Sequence, residues 1–500
     1  MADSFPQIKH VIVLALENRS FDHMLGGLPG VNGASSQWSN SDGQNDYAQT
    51  PLGKWWDPAA RIVNPDPQHE TPDVLTQLQN ANGGFVANYA LRHPATTREQ
   101  RQKVMSFYPD GSLAPLHTLA KTFAVCDRWH ASVPGPTWTN RLFMLSGTAR
   151  GRVVMPSPLV YDQPSIFLRL FEAGRSSRAY YGDVPLALLL SDQRVGDTST
   201  GYDPSRSYYP LFLFKYLAHG KENDFPDFVF LEPAYTMGPN DDHPPHDPIR
   251  GQRLIAEVYN ELRANDRLWR TSLLVILYDE HGGFADHVPP PGAVPPDGDN
   301  VDGFAFDRLG VRVPAVFVSP WLRPQVCGEL FDHTSLLKSL TEKWQLGPLG
   351  ARTAVAVDVF ASLDKAPSLR TDPPHEPERR GHAACRVSAR RDRSRARRER
   401  IGRAARRDTG ADAQRARGEV SAGGSIDDRS AVGNLVRLRA LRAEQEEQRP
   451  RLRLVRIVQA AHARRRAGAR IRLAWRWGGA AGQHGQQCQD REGARHDGLS

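Results

Sequence analysis

The sequence predicts an α/β fold, with a mainly parallel central sheet that is covered by helices. Two observations support this prediction. Short, almost continuous apolar runs rich in Val, Ile and Leu recur along the first 320 residues, and such runs are typical of parallel strands buried on both faces. Segments in which apolar residues recur at helical spacing lie between them. Strands that alternate with helices along a chain form α/β folds.

Five apolar runs are predicted to be strands. The first four end at a carboxylate, whereas the fifth ends near Trp321. In open sheets of parallel strands, ligands bind beyond the carboxyl ends of the strands, so these four acids are well placed for chemistry. The five runs are residues 8–16, 123–126, 228–231, 273–278 and 314–319.

Helices are predicted at residues 247–265 and 335–344. The first has apolar residues at helical spacing from Ile249 to Leu262, and Asp247 followed by Pro248 is a start signal. Residues 30–85 are rich in Gly, Asn, Gln, Ser and Pro, so we expect long surface loops there. We expect the proline-rich stretch 289–296 to form another loop that lies over the functional site.

The composition changes near residue 376. Residues 376–500 contain 31 Arg, no Lys and 15 acidic residues, a formal charge of +16, and the whole chain carries +8, so residues 1–375 carry −8. High charge with few large apolar groups does not offset the entropy cost of ordering. We therefore predict a catalytic domain over 1–370 and an Arg-rich tail of low order over 376–500. The tail is either a frameshifted, non-functional sequence, which we favour, or a basic arm for nucleic acid or anionic membrane.

The cysteines and the apolar segments exclude several classes of protein. Four widely spaced cysteines form neither a zinc pattern nor a disulfide framework. No stretch approaches the roughly 18 apolar residues of a membrane span. The first residues lack the basic region and cleavage site of a secretory signal, so we expect a cytoplasmic location by default. Neither a P-loop nor a Gly-x-Ser-x-Gly elbow occurs.

Oxygen-bearing side chains follow the first and the fourth predicted strands. Glu17 and Asn18 offer hard oxygen ligands to a divalent cation, although capping of the next helix explains them equally well. Asp279 and Glu280 are adjacent acids at the end of a buried strand, which is costly unless they are paired or bind a cation. For this second pair, a functional role is the favoured interpretation over a solvated loop.

Several histidines near these acids are candidates for acid–base chemistry. His281 and His287 follow the acidic pair and could supply nitrogen ligands or protons. His243 lies in a proline-restricted loop and could protonate a leaving alkoxide, with a simple acidic turn as the alternative. His333 could contact phosphate, but helix capping by Asp332 is an equally good explanation of that motif.

Thr137 follows a Pro-Gly-Pro turn and is predicted near the N-terminus of a helix, where backbone N–H groups favour a phosphate. Its hydroxyl could attack phosphorus if a metal lowered its pKa. For this motif alone, an ordinary N-cap threonine is the favoured alternative. Together, however, the oxygen donors, the hydroxyl and the histidines form the set that phosphate ester hydrolysis requires.

The motifs resemble those of the bacterial phosphoesterase family that holds non-zinc phospholipases C and a class of acid phosphatases, a branch of the alkaline-phosphatase-like superfamily. They occur in the family order over about residues 5–370. The matching pieces are Glu17-Asn18-Arg19-Ser20-Phe21-Asp22, Cys126-Asp127-Arg128-Trp129-His130, Gly135-Pro136-Thr137-x-x-Asn140-Arg141, Asn240-Asp241-Asp242-His243-Pro244 and Tyr278-Asp279-Glu280-His281-Gly282-Gly283. The chain departs from the family in lacking an export signal, and in having Thr139 where Pro usually precedes Asn-Arg.

The resemblance implies one divalent metal ion, for which Ca²⁺, Zn²⁺ and Fe are the candidates. It implies that Thr137 is the metal-bound nucleophile and forms a phospho-enzyme intermediate. It also implies that His243 and His287 assist as acid and phosphate contacts. The implied metal ligands are Glu17, Asn18, Thr137, Asp279 and Glu280. The expected substrate-binding residues are Asn140, Arg141, His281 and His333.

Three functions stay open on the sequence alone. The favoured one is a phospholipase C-type phosphodiesterase that releases diacylglycerol and a phosphorylated headgroup, with peripheral contact to lipid. Trp129, Trp138 and Tyr235 are candidates for an aromatic cage around a quaternary ammonium, although packing explains them equally well. The second is an acid phosphatase that acts on small phosphate monoesters. The third is a non-enzymatic binder of nucleic acid or anionic membrane; for the two enzymes we expect no specific nucleic acid partner.

Overall fold

The computed structural model describes residues 3–155, 160–194, 202–204, 207–220 and 224–374. The predicted Arg-rich tail, 376–500, lies outside the described residues. The strands are His10–Leu16 (β1), Ser39–Ser41 (β2), Asp46–Ala48 (β3), Thr50–Pro51 (β4), Ser106–Phe107 (β5), Ala124–Cys126 (β6), Ser177–Tyr181 (β7), Tyr208–Pro210 (β8), Phe228–Glu232 (β9), Ser272–Tyr278 (β10), Ala315–Val318 (β11) and Gln325–Cys327 (β12).

Helices surround these strands. They are Phe21–Leu25 (α1), Pro58–Arg61 (α2), Thr71–Gln77 (α3), Gln79–Asn82 (α4), Phe85–Arg92 (α5), Arg98–Val104 (α6), Ala114–Thr122 (α7), Thr137–Ser146 (α8), Ile166–Glu172 (α9), Phe214–Ala218 (α10), Pro248–Ala264 (α11), Asp266–Trp269 (α12), His333–Trp344 (α13), Ala351–Val355 (α14) and Val359–Ser362 (α15). Short 3₁₀ turns occupy Leu186–Leu189, Ser191–Gln193 and Leu211–Leu213. In α4, Asn80 and Ala81 have positive φ, so this turn is left-handed.

Eight strands form the central sheet in the order β12-β6-β11-β10-β1-β9-β7-β8. β1 lies in the middle and pairs in parallel with β10 and β9, and every residue of β1 and β10 is buried. β7 continues the parallel set on one side, while β6 and β12 form a parallel pair at the other edge. The predicted α/β class with a mainly parallel sheet is therefore confirmed.

β11 is antiparallel to both of its neighbours, β10 and β6. Its place among the predicted parallel strands was therefore wrong. The sequence carried a trace of the difference, because this run ends near Trp321 and not at a carboxylate. Since an antiparallel strand ends at the opposite edge of the sheet, its last residue lies away from the edge where Glu17, Asp127, Glu232 and Asp279 end or follow their strands.

The expectation of surface loops over residues 30–85 is wrong in part. Three strands and helices α2–α4 fall within it, and several apolar side chains there are buried. They join a second apolar cluster with α5 and α6, which includes Tyr47, Val74, Phe85, Tyr89 and Met105. Gly- and Asn-rich composition predicted turns correctly, but the sparse apolar residues between the turns are sufficient to anchor the segment.

The stretch 289–296 has neither helix nor strand, as predicted. Its position over the site is not supported, because its hydrogen bonds lead elsewhere. Ala293 N donates to Asp307 O, Ala351 N donates to Pro296 O, and Arg352 donates to Val294 O. Across the described part of the chain, every helix is too short or too polar to cross a membrane.

Candidate active site at the carboxyl edge of the sheet

The pairing of β1 with β10 brings the predicted acids together. Leu16 lies opposite Tyr278, so the chain leaves both strands side by side. Asn18 N donates to Asp279 Oδ1 at 3.1 Å, and Arg19 N donates to Glu280 O at 3.0 Å. Glu17, Asn18, Asp279 and Glu280 are all buried. The two motifs, more than 260 residues apart in sequence, thus form one cluster.

Asn18 is held in this cluster by its backbone. It has a φ of +58°, in the left-handed region, and its carbonyl oxygen packs against Gly282, which also has positive φ. A Cβ on Gly282 would lie 2.1 Å from that oxygen. Because an alanine cannot fit there, the glycine allows the chain after Glu280 to pass directly over Asn18.

Thr137 joins the cluster from the first residue of α8. Its hydroxyl donates to Asn18 Oδ1 at 3.3 Å. The N-cap of α8 is Pro136, so the capping alternative for Thr137 does not describe this helix. The hydroxyl therefore lies at a helix N-terminus, against the amide oxygen of Asn18.

Arg141 lies one turn further along α8 and is directed toward the ends of β1 and β10. Its Nε donates to Asp279 Oδ2 at 3.2 Å, and its Nη2 donates to Ala15 O and Leu16 O. The same Nη2 is 3.6 Å from Glu17 Oε1. Arg141 thus positions the two carboxylates, while its Nη1 has no hydrogen-bond partner among the residues that the structure describes. Its role in binding substrate stays a prediction.

Asn140 is also used by the fold. Its Oδ1 accepts from Val133 N at 3.1 Å, and its Nδ2 donates to Gly135 O at 2.9 Å. These bonds hold the turn that precedes Thr137. The side chain is buried with these partners, so it shapes the turn, and its contact with substrate stays a prediction.

Burial and mutual repulsion raise the pKa values of two acids of the cluster, Glu17 and Asp279. Burial and the nearby Asp279 carboxylate raise the pKa of Glu17 well above its usual value, despite the opposing effect of Arg141. Burial also raises the pKa of Asp279 to about 6, although Arg141 beside it acts in the opposite direction. The carboxylates of Glu17 and Asp279 therefore share one guanidinium in this buried space, and a bound cation would offset the remaining negative charge.

A second group of ligand-type atoms adjoins the cluster. One nitrogen or oxygen from each of Asp66, His69 and His243 lies within 4.8 Å of the others, and His69 Nε2 is 3.0 Å from Asn18 Nδ2. Although burial lowers the pKa of His69, the carboxylates of Glu280 and Asp66 raise it to about 9. A charged ring would require the Asn18 amide to turn its oxygen toward Nε2, so the His69 proton and the Asn18 orientation are linked.

His243 completes this second group. Its Nε2 is 3.9 Å from Asp66 Oδ2 and its ring centroid is 5.4 Å from that of His69. Burial, followed by the charge of His69, lowers the pKa of His243 to about 3. The structure thus places His243 next to the candidate active site, beside Asp66 and His69. Of the two histidine rings, His243 is the neutral one, and His69 is the one that holds the additional proton.

Sequence reasoning missed His69 because it falls in the segment interpreted as surface loops. A signal was nevertheless present. Pro65 and Pro67 flank Asp66, and Pro67 lies two residues before His69, the same kind of proline-restricted setting that singled out His243.

His281 and His333 are buried and have partners within the protein. His281 Nε2 is 2.8 Å from Gln77 Oε1, and its Nδ1 is 3.2 Å from Glu280 Oε2. Trp129 Nε1 donates to His333 Nδ1, and His333 Nε2 donates to the carbonyl oxygen of Asp279. Both nitrogens of His333 are therefore used, which leaves none for the predicted phosphate contact. Trp129, fully buried here, is likewise unsuited to an aromatic cage.

His287 belongs to a separate ion-pair network. Its Nδ1 lies 2.7 Å from Asp22 Oδ2, and Arg312 joins Asp22 to Asp286 at 2.8 Å each. Asp22, Asp286 and His287 form the other group whose ligand atoms lie within 4.8 Å of one another. Because Arg312 already balances these acids, we assign the network to holding α1 against the loop after Phe284 and not to metal binding.

The chemistry of the Glu17–Asn18–Asp279–Glu280 cluster fits a divalent cation. Glu280 Oε1 is buried and has no hydrogen-bond partner among the residues that the structure describes. An unpartnered buried carboxylate oxygen is costly unless a cation contacts it. Carboxylate and amide oxygens beside a hydroxyl are ligands that hard divalent ions prefer.

A mainly parallel sheet with a threonine hydroxyl near buried oxygen donors at its carboxyl edge is suited to phosphoric ester hydrolysis. The comparisons with known proteins agree with this class of reaction. The profile of the Phosphoesterase family matches residues 8–347, so the chain belongs to that family. It is a hydrolase that acts on phosphoester bonds, of the phospholipase C-like type.

Similar proteins have been named in plants and bacteria. Non-specific phospholipase C6 of Arabidopsis thaliana is 38% identical over 403 residues, which cover 73% of this chain and 74% of the relative. Non-specific phospholipase C3 of the same plant is 32% identical and covers 73% and 75%. Phospholipase C B of Mycobacterium tuberculosis is 30% identical and covers 67% and 73%.

Among solved structures, a member of the alkaline phosphatase superfamily from Vibrio parahaemolyticus matches with a TM-score of 0.32 at 12% identity. This match covers 53% of this chain and 67% of that chain.

Proposed function

We propose that the chain is a metal-dependent phosphodiesterase of the phospholipase C type, and that the Thr137 hydroxyl is its nucleophile. The observation that carries this proposal is the 3.3 Å contact between Thr137 and Asn18, beside Asp279 and the unpartnered oxygen of Glu280. The names of the plant and mycobacterial relatives favour phospholipid as the substrate over a small phosphate ester.

Glu17, Asn18, Asp279 and Glu280 would hold the cation, with the Thr137 oxygen beside them. A bound divalent ion would offset the negative charge of the phosphate and lower the pKa of the threonine hydroxyl. Arg141 keeps Asp279 and Glu17 in place for this set. α8 begins at Thr137, and the first N–H groups of a helix favour an anionic phosphate.

The reaction then proceeds in two displacements. The Thr137 oxygen bonds to phosphorus while the bond from phosphorus to the diacylglycerol oxygen breaks, and the hydroxyl proton passes through neutral His243 to that leaving oxygen. Asn18 keeps its Nδ2 directed toward His69 Nε2, the 3.0 Å arrangement in the structure, so its oxygen stays available to the cation. Water next bonds to phosphorus and displaces the threonine oxygen, and a water proton returns to that oxygen as the phosphorylated headgroup departs.

Substitution of Thr137 tests this proposal. We expect Thr137→Ala to lower kcat on p-nitrophenylphosphorylcholine by about 10³-fold or more, because no other hydroxyl replaces the nucleophile. Thr137→Ser should retain part of the activity. Thr139→Ala is the matched control, since Thr139 is a buried threonine two residues along the same helix and should leave kcat nearly unchanged.

The substrate preference and metal content of the same preparation separate the alternatives. Faster turnover of p-nitrophenyl phosphate than of the choline ester would replace the phosphodiesterase by a phosphatase at this site. Equal losses of kcat in Thr137→Ala and Thr139→Ala would contradict the role of Thr137 as the nucleophile. Full activity after chelation, with no metal bound, would contradict the metal dependence.

A further inference from the structure

Two buried cysteines face each other across neighbouring strands. Cys126 is the last residue of β6 and Cys327 is the last residue of β12, and the two are register partners in this parallel pair. Register partners direct their side chains to the same face of a sheet, and neighbouring strands lie about 4.8 Å apart. That spacing falls within the Cα separation of roughly 4.4–6.8 Å that a disulfide spans.

Both cysteines are free thiols buried at the ends of their strands. Burial raises the pKa of the Cys126 thiol, whereas the neighbouring Cys126 thiol lowers the pKa of Cys327. Cys327 is therefore the member of the pair that more readily forms a thiolate, the reactive form of cysteine.

The position of β12 allows the bond to form. This strand has three residues, lies at the edge of the sheet and pairs with β6 alone. Cys327 itself is 6% exposed, and no strand pairs with the outer side of β12 in the described sheet, so local opening of this short edge strand would admit a small oxidant. The same freedom lets the strand adjust to the sulfur–sulfur bond length of about 2.05 Å.

We propose that Cys126 and Cys327 are a reversible oxidation site, which a low-molecular-weight disulfide such as oxidised glutathione converts to a protein disulfide. The Cys327 thiolate attacks one sulfur of the oxidant and releases a small thiolate. The Cys126 thiolate then attacks the Cys327 sulfur of the mixed disulfide and releases the second one. Two electrons pass to the oxidant, and the two cysteine protons pass to the two released thiols.

The disulfide would close a loop that contains Thr137, His243, Asp279 and Glu280. Such a bond restricts the unfolded chain and raises stability. The site is thus suited to a stability that varies with the thiol–disulfide balance of its surroundings.

Peptide mapping of the full-length protein tests this proposal. Cys385→Ser and Cys488→Ser are introduced so that Cys126 and Cys327 are the remaining cysteines. The folded protein is incubated with oxidised glutathione below its Tm, alkylated and digested. We expect peptides that contain Cys126 and Cys327 to be cross-linked, the link to disappear with dithiothreitol, and Tm to rise by about 3 °C or more.

Cys327→Ser in the same background is the control, and oxidised glutathione should not raise its Tm. Three outcomes overturn the proposal: full alkylation of both thiols after the incubation, a mixed disulfide with glutathione as the end product, or a cross-linked protein whose Tm is no higher than that of the reduced one.

Discussion

Arg141 is the guanidinium on which the balance of charge at the candidate active site depends. It contacts Asp279 at 3.2 Å and lies 3.6 Å from Glu17, and all three are buried. Removing one partner of a buried ion pair costs about 3–5 kcal/mol, because the other charge is left uncompensated. We expect Arg141→Gln to lower the free energy of unfolding of the metal-free protein by that amount, measured by guanidinium denaturation.

A surface ion pair provides the control for this substitution. Arg323 pairs with Asp364 at 3.4 Å, with both side chains more than half exposed, and such pairs contribute less than about 1 kcal/mol. Arg323→Gln should therefore change stability little. If both variants lost less than about 1 kcal/mol of unfolding free energy, the result would contradict the role of Arg141 in balancing the buried carboxylates.

At the scale of residues, local sequence was enough to find the oxygen donors and the hydroxyl. Glu17, Asn18, Thr137, Asp279 and Glu280 each follow a recognisable strand end or turn, and the structure brings all five together. Their catalytic and metal-binding roles stay predictions. The histidines were less predictable, because the direction of a side chain and its partners depend on distant segments, as His333 shows.

His117 connects two elements, since it lies on α7 and bonds to the end of α1. Gly111 N donates to its Nδ1 at 2.9 Å, and its Nε2 donates to Met24 O. The ring must therefore be neutral, and burial lowers its pKa to about 4. Below the unfolded value near 6.5, only the unfolded chain takes up this proton, so the contribution of His117 to stability falls as the pH falls from 6.5 toward 4.

We expect the His117→Gln variant to lose less stability on acidification than the parent does. Between pH 6.5 and 5 the difference in the loss of stability should be about 2 kcal/mol, because the pH falls by roughly 1.5 units while only the unfolded chain takes up this proton. Urea denaturation at both pH values measures it. His219→Gln, at a side chain that is 54% exposed, should follow the parent, and identical slopes for all three proteins would contradict the role of His117.

At the scale of elements, the sequence predicted the presence of strands and helices better than the direction of the strands. The strand predicted at 273–278 is observed as Ser272–Tyr278, and the helix predicted at 247–265 is observed as Pro248–Ala264. The antiparallel direction of β11 was not predicted, because a fully buried strand has the same apolar composition in either direction. Strand direction depends on how the connecting segments cross the sheet.

For the whole molecule, we expect a chain that ends at Pro374 to keep the fold and the activity. The family match ends at residue 347, and the Arg-rich residues carry +16 of formal charge against −8 for the rest. The shortened protein should melt within about 2 °C of the full chain, turn over the same esters and migrate toward the anode. Calorimetry and native electrophoresis measure this, and loss of cooperative melting would contradict it.

The amino-acid order by itself determined the α/β class, the middle strands and the identity of the oxygen donors, because apolar periodicity and strand-end chemistry are local properties of a chain. Only the tertiary structure decided that β1 and β10 are neighbours, that His69 joins the site, and that Arg141, His333 and His287 are engaged by buried partners. Those features depend on contacts between segments up to hundreds of residues apart, and such contacts are fixed by packing and charge balance across the sheet.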